Sequence, residues 1–171
     1  ILALMQRYRV DEDTAKLVAR RARMLYDATY STWKLTPADG ELLVWAALTH
    51  EIGKAISHKH FHRHGAYLLR NSDMPGFPQQ EQDDLATLVT SQHGKLRSEL
   101  FGEREGDELL RMQRLVALLR LATLFKYVEQ LEQLPDFTIR VSPRTLRLEF
   151  PADWLPQHPL TAQELNQQKD A

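Results

Sequence analysis

The run "LTHEIGKAISHKHFHRHGAYLLRNSDMPGF", Leu48 to Phe77, decides how the rest of the chain is read. It holds five of the seven histidines, at 50, 58, 60, 62 and 64, and opens on a His50–Glu51 pair. Adjacent side chains on a helix point about 100° apart, so this pair can address one ion only near a helix end. Gly53 places such an end here, and "DMPGFP", Asp73 to Pro78, is turn chemistry. Between them a helix fits His60 to Asn71, with His60 and His64 on one face and His62 elsewhere. Imidazoles and a carboxylate drawn from several helices are ligand types for a divalent transition metal. The same residues allow another reading. His50 and His93 are then helix C-terminal residues favoured by the dipole, and His58 to His64 a solvated surface.

Outward from this run the pattern is helical. Asp11 and Asp13 precede a segment in which Leu17 or Val18, Ala22, Leu25, Tyr26 and Thr29 return every three or four residues, predicting a helix over 11–31. Thr36, Pro37 and Asp39 supply an N-cap hydroxyl, a proline where no N–H is needed and a first-turn acid, so a second helix runs from there to Ile52 and stops at Gly53. Pro78 opens a helix that ends near His93 and Gly94. The longest begins near Glu105 and carries Leu109, Met112, Leu115, Val116, Leu119, Ala122, Phe125, Val128 and Leu131. Apolar residues cover much of its circumference, which makes it the central helix. At Pro135 the period changes to two. Phe137, Ile139, Val141 and then Leu146, Leu148 and Phe150 alternate with polar residues around a Ser-Pro-Arg turn, predicting an antiparallel hairpin with one buried face. Thr161 and Glu164 read as a capping box for a short last helix.

The expected fold is therefore mainly α, a helical bundle with one C-terminal β-hairpin. Its 171 residues form a single domain: a helical core over 1–133, a hairpin over 134–152 and a tail with a short helix over 153–171. A net charge of −1 excludes a globally basic nucleic-acid binder, so any anion site is a local patch. The absence of cysteine removes disulfides and thiolate metal sites. No apolar run approaches the roughly 20 residues of a membrane span, and no signal peptide is visible, so a soluble, cytoplasmic protein is expected. Because the chain starts at Ile1, further functional groups are expected upstream.

The runs "LTHEIGK", "HGAYLL" and "TLVTSQHGK" resemble the HD phosphohydrolase superfamily. The fuller series, with "AYLLRNSDMPGF", "LLRLATLF" and "FPADWLPQHPLT", resembles more narrowly the C-terminal, HD-like part of the exopolyphosphatase and guanosine-pentaphosphate phosphatase (Ppx/GppA) family, from about Tyr8 to Leu165. An HD-domain-like bundle is what this resemblance implies. The metal-binding pattern of the superfamily is incomplete. The doublet is His50-Glu51 instead of His-Asp, and the extra methylene moves the carboxylate by roughly 1.5 Å. No histidine stands in "DEDTAKLVARRA", and Thr123 takes the place of the late Asp. At most His50, Glu51, His64 and His93 remain as vestigial positions. No metal and no catalytic residue is expected in this chain.

The resemblance implies an accessory role. Hydrolysis of the terminal phosphoanhydride, with magnesium, belongs to an N-terminal actin-like region absent from this sequence. The C-terminal part helps to hold polyphosphate and to form a homodimer. Holding such a polyanion needs a line of cationic donors. The candidates are Lys54, His58, Lys59, His60, His62, Arg63 and His64, with Arg70, Lys95 and Arg97 close in the pattern. The histidines add charge as pH falls toward 6.5. Arg20, Arg21 and Arg23 are read as solvated charges. Two rivals differ in class. One is a free-standing nucleotide phosphohydrolase with manganese, nickel or zinc at His50, Glu51, His64 and His93. The other is a dimerisation module using the long helix or the hairpin edge.

Overall fold

In the computed structural model, which describes residues 1–131 and 134–169, helices dominate and two strands pair between α6 and the last helices. In order these are α1 (Leu2–Arg7), α2 (Glu12–Trp33), α3 (Pro37–Thr49), a 3-10 turn (Ile52–Ala55), α4 (Phe61–Asn71) and α5 (Gln79–Ser91). A second 3-10 turn (Ser98–Phe101), α6 (Gly106–Leu131), β1 (Thr138–Val141), β2 (Leu146–Glu149), α7 (Trp154–Gln157) and α8 (Pro159–Lys169) follow. The expected boundary at residue 133 and the end of the tail lie outside the described residues.

Local chemistry sets the starts of α2 and α3. The Asp11 carboxylate accepts from the backbone N–H of Asp13 and Thr14, and α2 then buries Ala15, Val18, Ala22, Leu25, Tyr26 and Thr29. Thr36 and Asp39 form the reciprocal capping box of α3. α6 packs against α2, α3 and α5 and buries Met112, Leu115, Val116, Leu119, Ala122, Phe125 and Val128. Three polar residues, Arg120, Thr123 and Lys126, are buried with them, while Leu110, Gln113, Ala117 and Tyr127 stay exposed. In the hairpin Ile139 pairs with Leu148 and Val141 with Leu146, and these side chains pack on the core. Its turn is tied down at long range: Trp33 Nε1 donates to Ser142 O, and Arg114 donates to Pro143 O.

Several expectations change. α3 stops at Thr49 instead of Ile52, because its last carbonyls are taken by side chains: the His50 ring bonds to Ala47 O, and Gln92 donates to His50 O. Gly53 does not end a helix. It lies inside the 3-10 turn, where a Cβ would fall 1.9 Å from Phe61 O and 2.3 Å from Gly65 N, so its role is to let α4 pass backbone against backbone. His60 precedes α4 in a left-handed conformation (φ 57°) and does not share a helix face with His64. Thr161 sits inside α8, whose first turn begins at Pro159, so the Thr161–Glu164 capping box does not form. Arg21 is no free surface charge: its Nε donates to Glu129 on α6 at 3.1 Å. α1, with Leu4 and Met5 buried, is too short to show a period in sequence.

Candidate functional site

Two separate groups arise from the Leu48–Phe77 run. The first is buried. His50 caps the C-terminus of α3 and is 1% exposed. A carbonyl can only accept, so the 2.6 Å contact to Ala47 O fixes the proton on Nδ1 and leaves a lone pair on Nε2. That lone pair faces Lys126 Nζ at 3.2 Å. The same ammonium donates to Glu51 Oε1 at 2.8 Å, and Lys54 Nζ reaches this oxygen at 2.6 Å. Burial, then the neighbouring Lys126 charge, lowers the His50 pKa from 6.5 to about 4, so the ring is neutral near pH 7. Burial pushes the Glu51 carboxyl upward, but hydrogen bonds from Lys126 and Lys54 outweigh it and hold the group at about 2. Neither side chain is a free base: the imidazole lone pair and the carboxylate oxygen are both engaged by an ammonium.

Lys126 was not singled out from sequence. Its signal is its spacing, because it follows Leu119 by seven and Ala122 by four and so falls on the apolar stripe of α6. A lysine there requires a buried partner. Thr123, at the position of the missing Asp, turns its hydroxyl back to Arg120 O and does not reach the doublet.

The second group is at the surface. His58, Lys59, His60, Arg63 and Arg70 are exposed, as are His93, Lys95 and Arg97 after α5. His62 and His64 are half-buried. The His62 ring lies 5.5 Å from His93 and 6.3 Å from His60, and Phe61 lies 6.3 Å from His93. His93 thus joins the start of α4. Burial, followed by the charges of His93 and Arg63, pulls His62 down to about 4, so it adds no charge in mild acid. Arg120 holds the segment that carries His93, donating from Nη1 to Ser91 O at 3.0 Å and to Gly94 O at 2.9 Å. Among the described residues no group of three or more histidine or acidic side chains is placed to hold a metal ion. Among them the His50 and Glu51 donors face ammonium groups.

Lys54 links the two groups, because it also lines a cleft of about 630 Å³. Arg7 and Arg9 form the facing wall, Asp11 and Glu51 contribute acids, and Arg9 adopts a left-handed backbone (φ 51°) at the turn between α1 and α2. Arg7 and Arg9 escaped the sequence reading because they are some 45 residues from Lys54 in the chain.

The class the fold defines is a mainly α bundle with one two-stranded antiparallel hairpin toward its C-terminal end. The sequence matches the model of Ppx/GppA phosphatase, domain III, over residues 1–169, and the chain belongs to that family. It is similar to the guanosine-5'-triphosphate,3'-diphosphate pyrophosphatase of Pseudoalteromonas translucida (strain TAC 125), with 36% identity over 165 residues. That alignment covers 96% of this chain and 33% of the relative, so the chain spans about a third of the curated relative's length. No helix among the described residues is long and apolar enough to cross a membrane.

Proposed function

We propose that this chain is the accessory domain of an exopolyphosphatase-type enzyme, holding inorganic polyphosphate and supporting a homodimer. A terminal phosphoanhydride is hydrolysed, with magnesium, in an N-terminal actin-like region of the same protein. The observation that carries this reading is the exposed cationic run Lys59, Arg63, Arg70, Lys95 and Arg97, together with Lys54, Arg7 and Arg9 around one cleft, in a chain of net charge −1. Each internal phosphate carries about one negative charge and strong acceptor oxygens; arginine can fork onto two of them and lysine acts as a point charge. Because Lys126 already compensates Glu51, the Lys54 charge remains available to the cleft. Guanosine pentaphosphate, the substrate type in the relative's name, offers the same phosphoanhydride chemistry to the whole enzyme.

Titration with long-chain polyphosphate at two salt concentrations tests the role. Binding is expected at low salt and weakens as salt screens the contacts; no measurable binding at low salt overturns it. His62, whose pKa burial lowers to about 4, adds no charge to this face in mild acid. Measuring mass in solution with and without the polymer separates dimerisation from polymer binding.

A further inference from the structure

We propose that His50 and Glu51 form a cation site whose cation is supplied by the chain itself. The Lys126 ammonium stands where a divalent ion would bind, and removing it turns the pair into a site for a divalent transition metal. The donors carry this inference. The Nδ1 proton is committed to Ala47 O, so Nε2 presents a lone pair, and Glu51 Oε1 presents a carboxylate oxygen to the same point. A neutral imidazole oriented by a hydrogen bond to the backbone, with a carboxylate beside it, is a transition-metal ligand pair. Their spacing fits as well. Two ligands each about 2.1 Å from one ion stand at most about 4.2 Å apart. Nε2 and Oε1 are 3.8 Å apart. Ammonium contacts of 2.8 and 3.2 Å would shorten by a modest movement of the two side chains onto a metal.

The occupant also explains why the pair persists without an ion. A buried carboxylate and an unshared lone pair both need a positive or donating partner. Lys126, 2% exposed, supplies both contacts and joins the end of α3 to α6 across 75 residues of sequence. An ammonium cannot polarise a water as a divalent ion does. The site therefore keeps the architecture of a metal pair while serving as an internal clamp, and Glu51 extends that clamp to Lys54 at the cleft.

The test is Lys126→Asp in the complete chain, which removes the ammonium and supplies a third oxygen ligand, with Co²⁺ alone as the probe. Visible absorption should report one bound Co²⁺ per chain, about tenfold or more tighter than in the wild type, a gap of 1.4 kcal/mol or more. Adding His50→Ala to that variant should abolish the gain. A folded Lys126→Asp chain that binds no tighter than wild type overturns the proposal. Wild-type protein provides a readout independent of that variant's folding. ¹⁵N spectra of the His50 ring should show a protonated Nδ1 and a bare Nε2 at neutral pH, unmoved by Co²⁺. Paramagnetic broadening of those signals in the wild type would show that the ammonium does not hold the site, and would also overturn the proposal.

Discussion

Between residues 50 and 64 the chain builds two regions from similar side chains: buried His50 and half-buried Glu51 pack against Lys126, whereas His58, Lys59 and His60 stand in solvent eight to ten residues after His50. In the buried region every charge has a partner in fixed geometry. In the exposed one the charges are solvated and available to a mobile anion. Histidine itself behaves differently in the two places. His50 is locked in one neutral tautomer by Ala47 and Lys126, while His60 and His93 meet only aromatic rings at the surface. Solvent access, more than residue type, decides whether a basic cluster acts as a clamp or as a docking surface.

The contrast is most directly broken at Lys126. Lys126→Ala removes one partner of a buried ion pair and should cost about 4 kcal/mol, read by urea denaturation. A loss under about 1 kcal/mol would mean that the pair is solvated like the surface run. Gly53→Ala acts on the junction of the two regions, forcing a methyl against the Phe61 carbonyl, and should lower stability by about 3 kcal/mol with a clear fall in melting temperature.

Acid probes the buried pair without mutation, beside a parallel contribution from half-buried His62, whose pKa also falls to about 4. The unfolded chain protonates His50 near 6.5 and the folded chain only near 4, so the stability that this histidine contributes is complete above pH 6.5 and fades as pH falls toward 4. Glu51 extends the loss between 4.5 and about 2, because its folded pKa is also depressed. For His50 the effect is up to about 3 kcal/mol. His50→Gln should flatten the stability profile between pH 6.5 and 4, and an unchanged slope would contradict a buried neutral ring. The smallest change in stability is expected at the surface. Lys59→Glu with Arg63→Glu should alter folding by less than about 0.5 kcal/mol while weakening polyphosphate binding and its dependence on salt. Equal binding by this variant and the wild type would move the docking surface elsewhere.

Much of the frame was legible because its signals are local. The Asp11 cap, the Thr36–Asp39 box, the period of α6 and the alternation at 137–150 each depend on residues within one or two turns of one another. The His50–Glu51 doublet was also visible as a motif. Its chemistry was not, because the partner stands on α6, 75 residues away. His93 faces His62 and Phe61 instead of the doublet. Arg21 was read as solvated for the same reason, its partner Glu129 being 108 residues downstream.

The order of helices, the hairpin and the family follow from the sequence by itself, because hydrophobic period, caps and motif runs are written along the chain. Only the tertiary structure decided what the histidine run became. Packing α3 and α6 together puts the Lys126 ammonium on the doublet, and packing the 3-10 turn against α4 at Gly53 leaves the remaining basic residues outside. Charge placement depends on which surfaces meet and exclude water, and no local stretch of sequence records that.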